Sequence, residues 1–324
     1  MRPHVAVPTG PFAPFYDMMA YHIGWTAPDG TPVSGSGGKR LRPILALLVC
    51  EALGGPVEAA RGAAIAVELV HNFSLVHDDI QDESDYRRGR ETVWRIWGPA
   101  QAINVGDALF ALAQLALVEQ IGDRPSAREA VGRLNASCVR LVEGQFLDLR
   151  LEGALDVSLE LYEQMIAGKT AALIECACAL GALAAEADAV AVAACADLGH
   201  RLGLAFQFQD DVLGVWGDPA VTGKPAGADI RSRKNGLPLV LALQTASGPP
   251  GERLAGLLRA EGTLDDVQVA EVLAIMEELD IRERAETMVT GAFAEVERAL
   301  RRAIPSDRQS DLLLFCARLQ TRVS

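Results

Sequence analysis

The chain reads as a succession of apolar stretches with helical spacing, separated by short polar breaks rich in glycine, proline and aspartate. Phe12, Phe15, Met18, Met19 and His22 recur at that spacing and predict an amphipathic helix over 11–25. Residues 27–38 form a loop by composition, ending in Gly37-Gly38-Lys39-Arg40-Leu41-Arg42-Pro43, from which a helix runs to Gly54-Gly55. Further helices are expected over 57–75, 99–121, 126–151, 159–185 and 188–216. A loop over 218–236 follows, then more helices with glycine-rich breaks. Alternation with the strand period is weak throughout. The expected fold class is therefore all-α, a large helical bundle forming a single domain over 1–324, with residues 1–10 poorly ordered. No run of about 18 apolar residues is expected to span a membrane.

The polar residues that interrupt this pattern carry the chemistry. The helix expected over 57–75 leads into His71 to Trp94, HNFSLVHDDIQDESDYRRGRETVW. Residues three and four apart share a helix face, so Asp78, Asp79 and Asp82 project to one side, where they would repel one another unless a cation binds. Hard divalent cations take oxygen ligands, often one or two carboxylates plus phosphate oxygens. Arg87 and Arg88 follow as a basic pair. A solvated acidic helix end carries the same letters, so the meaning rests on what else the chain contains.

Lys39 and Arg42 stand at the start of a helix, where the dipole disfavours cations unless an anion binds with them. Glu143, Gln145 and Asp148 interrupt an amphipathic helix, and Gly168-Lys169-Thr170 place a charge inside an apolar run. A second acidic pair, Asp210-Asp211, ends Phe206-Gln207-Phe208-Gln209. The loop over 218–236 carries Lys224, Arg231, Arg233 and Lys234 and reads as a partly basic lid.

Composition narrows the classes. Half of the 324 residues are hydrophobic, enough for a sizeable core, and the net charge of −13 argues against nucleic acid as a partner. Cys50, Cys138, Cys176, Cys178, Cys195 and Cys316 lie mostly in apolar runs without metal or disulfide spacing, as expected for a reducing cytoplasm. Acidic clusters for divalent ions, basic groups for phosphates and an apolar cavity for a hydrocarbon tail together describe an amphiphilic diphosphate substrate.

On these residues the chain resembles the trans-isoprenyl diphosphate synthases, or polyprenyl synthetases, which include the farnesyl and geranylgeranyl diphosphate synthases. The matching stretches are GGKRLRP at 37–43, HDDIQDESDYRRG at 77–89, GKT at 168–170, FQFQDD at 206–211 and GKPAGADIRSRKNGLP at 223–238, in the family's order. The resemblance implies the all-α isoprenoid synthase fold with a central apolar cavity, and a homodimer. It implies condensation of isopentenyl diphosphate with an allylic prenyl diphosphate, with Mg²⁺ as cofactor in a set of three ions. Asp78, Asp79, Asp82, Asp210 and Asp211 are the implied metal ligands. Arg87, Lys169, Gln207, Lys224 and Lys234 match positions around the allylic substrate, and Lys39, Arg42, His71 and Arg88 match the isopentenyl diphosphate site. Thr170 and Gln145 fall near the reacting carbons, with Asp148 nearby.

One departure stands out. The third acid of the second motif is replaced by Gly214, and Asp218 compensates only if the helix still runs there. Cyclisation or another prenyl transfer is therefore kept as an alternative, with a noncatalytic partner subunit as a third. The bulky Phe73 ahead of the first motif, followed by the small Ser74, suggests the floor of the tail pocket; with no insertion in that motif the pattern resembles the geranylgeranyl-type synthases, which implies a geranylgeranyl product, farnesyl second.

Overall fold

Local signals end most of the predicted helices where the sequence places them. The computed structural model describes residues 1, 5, 10–33, 38, 40–219, 226–259 and 262–321. Lys39, Lys224, most of 1–10 and the centre of the expected lid lie outside the described residues. Helix α1, Ala13–Ile23, opens with a proline in its first turn and stops at Gly24 with φ of 86°. Helix α2 is Leu41–Ala52, and α3, Arg61–Gln81, follows a short 3₁₀ turn. Helix α3 runs past the expected end at residue 75 and so takes Asp78 and Asp79 into its last turn, with Asp82 as its C-cap.

A hairpin of Tyr86–Arg87 and Arg90–Glu91 leads to α4, Val93–Trp97, then α5, Pro99–Ile121, and α6, Ala127–Leu151. The helix expected over 159–185 is broken: α7, Leu159–Ile166, meets a π-helical turn, Ala167–Ala171, before α8, Ala172–Ala184. Helix α9 is Ala189–Trp216. After it come α10, Ala228–Arg231, α11, Leu237–Thr245, α12, Gly248–Arg259, α13, Asp266–Glu278, α14, Ile281–Ala303, and α15, Ser310–Gln320. The all-α class holds, and the hairpin is the only sheet among the described residues.

The chain folds as two compact units, Met1–Asn135 with Cys176–Val192, and Ala136–Glu175 with Ala193–Ser324. In the first, α3 packs along α5 and against α2, burying Val67, Leu69 and Val70 with Leu109 and Ala113. Each fully buried side chain of this kind contributes about 1.5–3 kcal/mol. In the second, α11 packs on α7 and α14, and α14 on α13 and α15. The expectation about apolar runs needs correcting. By length and composition alone Pro99–Ile121, Leu159–Ala184 and Ala189–Trp216 are long and apolar enough to cross a membrane.

Candidate active site

The first acidic motif sits where the helix dipole is least hospitable to it. Asp78 and Asp79 occupy the C-terminal turn of α3, whose carbonyl end is already negative. The two acids are handled differently. Asp79 is 1% exposed and its Oδ1 accepts from Arg87 Nε at 2.6 Å, while its buried Oδ2 has no partner. Burial pushes its carboxyl up, and the guanidinium works the other way. Asp78 is half-buried and Asp82, four residues on, is exposed. The backbone N–H of Asp82 donates to Asp78 O at 2.8 Å, which keeps the i,i+4 pair on one face.

The arginines come from the hairpin. Its two-residue turn is Arg88-Gly89, with φ of 54° and 74°, the positive-φ pair of a type I′ turn. An arginine in that conformation carries strain, which is common where a side chain must be aimed. A Cβ on Gly38 would lie 2.6 Å from Arg88 Nη2, so the end of the 27–38 loop leaves room for the guanidinium. Tyr21, His22, Asp79, Arg87, Arg88 and Arg90 are among the residues lining a cavity of about 310 Å³. His22, absent from the candidates read from the sequence, has a buried Nε2 with no partner. Burial, then Arg87, Arg88 and Arg90, push its imidazole down to about 3.

His71 is held neutral in the same way, well below the ordinary histidine range, by burial and then by Arg42, Arg88, Arg87 and His22. Arg42 has a buried Nε without a partner. Burial lowers it to about 10, and Glu68 is the carboxylate that opposes this. Arg42, Arg87 and Arg88 thus gather near two neutral imidazoles, with Asp79 and Glu68 as counter-charges, an arrangement able to take an anion. Phe73 is buried, edge-on to His77 and Phe110 with ring centres 5.5 Å and 5.3 Å away, and the Ser74 hydroxyl donates to His71 O at 2.9 Å.

The second unit builds its own site around Asp211, which is 1% exposed. Its Oδ2 accepts from Tyr162 OH at 2.6 Å and from the Leu237 N–H at 2.9 Å. Its Oδ1 accepts from Gln207 Nε2 at 2.8 Å and lies 3.5 Å from Lys234 Nζ. Gln207 Oε1 in turn accepts from Thr170 Oγ1 at 2.8 Å. Three hydrogen bonds and the Lys234 ammonium surround this carboxylate, so its oxygens are engaged within the fold, where the sequence reading expects a metal ligand. Burial and Asp211 push the Tyr162 hydroxyl well above its usual range. Burial disfavours the Lys234 ammonium, but Asp211, Asp229, Asp210 and Asp148 more than offset it and raise its pKa. Asp210 is exposed.

Lys169 pairs with Asp148, which meets the need for a partner that its apolar surroundings create. The pairing depends on glycine. A Cβ on Gly144 would lie 2.0 Å from the Lys169 backbone nitrogen, and one on Gly168 would lie 2.6 Å from Arg140 O. The π turn thus seats directly on α6. Gln145 is buried on that helix.

Among the described residues no three His, Cys, Asp or Glu side chains converge to hold an ion by themselves. The solvent-facing i,i+4 pair Asp78 and Asp82, and Asp210 on α9, are hard oxygen donors. They fit Mg²⁺ only if a ligand supplies the remaining oxygens, which is how this ion is usually bound beside phosphates.

Comparison with known proteins agrees with this chemistry. A sequence model described as polyprenyl synthetase matches residues 31–276. A geranylgeranyl diphosphate synthase of Mycobacterium tuberculosis is 48% identical over 80% of this chain and 74% of its own length. A (2E,6E)-farnesyl diphosphate synthase of Mycobacterium bovis is 41% identical over 80% of this chain and 72% of its own. The crystal structure of a polyprenyl synthetase from Streptomyces coelicolor superposes with a TM-score of 0.90 at 38% identity, covering 98% of this chain and 94% of that one. With acidic helix ends, an arginine-lined cavity and an all-α architecture matched along most of its length, the chain belongs to the polyprenyl synthetase family.

Proposed function

We propose that the protein condenses isopentenyl diphosphate with an allylic prenyl diphosphate to give a short-chain trans product, geranylgeranyl diphosphate first and farnesyl diphosphate second. The observation that carries this is the cavity lined by Asp79, Arg87, Arg88 and Arg90, beside the solvent-facing carboxylates of Asp78 and Asp82. Arg42, His71 and Arg88, with Lys39, are the groups for the isopentenyl diphosphate, a pocket that a cyclase does not need. Arg87, Lys169, Gln207, Lys234 and Lys224 serve the allylic substrate and its diphosphate, and Thr170 and Gln145 are assigned near the reacting carbons.

In the reaction the bond between the allylic carbon and its diphosphate oxygen breaks, and the electron pair leaves with the diphosphate. The double bond of isopentenyl diphosphate then attacks the allylic cation. Loss of a proton to the released diphosphate restores a trans double bond. Bound Mg²⁺ supplies Lewis-acid stabilisation of the charge on the leaving group. The protein's cations act as preorganised charge aimed at the same oxygens, and burial excludes water that would quench the cation. Asp78 and Asp82, with Asp210 for the second motif, are the carboxylates we assign to a set of three Mg²⁺ ions.

The two units act as a single synthase domain in this proposal, since their boundaries at 135, 175 and 192 each fall inside a continuous helix. We also propose a homodimer, because α5 leaves Ile103, Leu115 and Val118 exposed and α6 leaves Val139, Val142 and Phe146 exposed. The proposed place of work is the cytoplasm, in keeping with six buried free thiols. The test is incubation with isopentenyl diphosphate, Mg²⁺ and dimethylallyl, geranyl or farnesyl diphosphate, with products read by mass. A ladder of longer diphosphates is expected. A hydrocarbon formed from geranylgeranyl diphosphate alone would mean cyclisation and overturn the assignment.

A further inference from the structure

Gly214 stands on α9 where the second acidic motif would place its third carboxylate, four residues after Asp210 and therefore on the same helix face. The space a side chain would need there is taken. A Cβ at 214 would lie 2.0 Å from Oδ2 of Asp229 and 2.5 Å from its Cγ. Asp229 is buried, on α10. The segment is tied to α9 where the Gly227 N–H donates to Val215 O at 3.0 Å, and it closes on itself where the Lys234 N–H donates to Asp229 O at 2.9 Å. The Lys234 ammonium lies 3.5 Å from Asp211 Oδ1 and 3.9 Å from Asp229 Oδ2.

We infer that Asp229 is the third carboxylate of the second acidic site, replacing in space the acid that Gly214 lacks in sequence. The inference rests on the synthase function proposed above. A glycine at 214 and an acid at 229 are one device. The missing Cβ lets a carboxylate from the following segment lie over the Asp210 face of α9. Asp211 is held by three hydrogen bonds and the Lys234 ammonium, and Asp210 and Asp229 add the further negative charge of the site. Asp229 acts as a positioning residue. It shares the Lys234 ammonium with Asp211 and adds negative charge beside the Asp210 face of α9.

The experiment uses the full-length protein, with Mg²⁺ and inorganic pyrophosphate as probes and the rise in melting temperature as readout. Asp229→Asn keeps the shape and removes the charge. It is expected to raise the Mg²⁺ concentration for half-maximal stabilisation about tenfold, the scale of losses from supporting groups around a metal. Gly214→Asp alone places two carboxylates in one space and lowers the melting temperature of the ligand-free protein. The double variant Gly214→Asp with Asp229→Ala moves the acid back onto α9 and returns the Mg²⁺ dependence toward the wild-type value. Rescue of this kind is not expected of a residue that only supports the fold. An Asp229→Asn protein with wild-type Mg²⁺ dependence overturns the inference. So does a double variant that melts like the wild type without ligand yet binds as weakly as Asp229→Asn. If the wild type itself gains no stability from Mg²⁺ and pyrophosphate, the synthase function fails instead.

Discussion

Within each aspartate pair the two acids have different duties. The first, Asp78 or Asp210, keeps contact with solvent, while the second, Asp79 or Asp211, is 1% exposed and held by cations and hydrogen bonds. Adjacent helical residues are turned by about 100°, so where the first of a pair faces solvent the second turns toward the neighbouring elements. Tyr162→Phe should therefore damage a carboxylate that is not itself at the reacting carbon. Losing a hydrogen bond to a buried charge costs about 1.5–3 kcal/mol, to be read by urea unfolding, and kcat should fall because Gln207 and Lys234 share the same acid. His22 gives a pH signature. Its folded pKa is about 3 against a reference of 6.5. Above 6.5 it is neutral in both states and adds no pH dependence. As pH falls from 6.5 toward 3 the unfolded chain takes up a proton that the native state refuses, and stability drops by up to about 1.4 kcal/mol per pH unit. His22→Gln should flatten the stability curve between those limits by one proton's worth.

At the scale of elements, the π turn and its glycines hold Lys169, the lysine assigned to the allylic diphosphate. Gly144→Ala forces a Cβ toward the Lys169 nitrogen, and overpacking of this kind costs about 1–3 kcal/mol. Melting temperature and kcat should both fall. Gly132→Ala, on the same helix α6 with nothing near its added Cβ, should leave kcat unchanged and stabilise by up to about 1 kcal/mol. Helices α3 and α5 meet at Phe73 and Phe110. If Phe73 closes the tail pocket, Phe73→Ala lengthens the product, and an unchanged product spectrum by mass would remove it from that role. Helix α3 itself shows where local reading stops. It is expected to end at 75, just ahead of the acidic cluster, yet the helix continues to Gln81. Asp79 continues it by turning inward to Arg87, a partner that helical periodicity does not register.

For the whole molecule, the exposed apolar residues of α5 and α6 make association the expectation. Light scattering should give the mass of a dimer, and Leu115→Glu with Val142→Glu should give a monomer, since each carboxylate would be desolvated without a partner. The net charge of −13 makes the arginine-rich cavity a local exception, so its anion affinity should weaken with salt less than that of exposed lysines.

Helix content, the ordered motifs and the family were all legible in the sequence, because periodicity, caps and motif spacing are local properties of a chain. The same is true of the candidate acids and bases, whose residue types announce their charge. Only the tertiary structure decided which acid of each pair meets solvent and which is an anchor, because burial depends on partners distant along the chain. It also brought His22 into the cavity wall and Tyr162 onto Asp211. The clearest case is Gly214, read from the sequence as a missing carboxylate. In the folded chain that space holds the carboxylate of Asp229, since a helix face is defined by what occupies it and not by the residue written there.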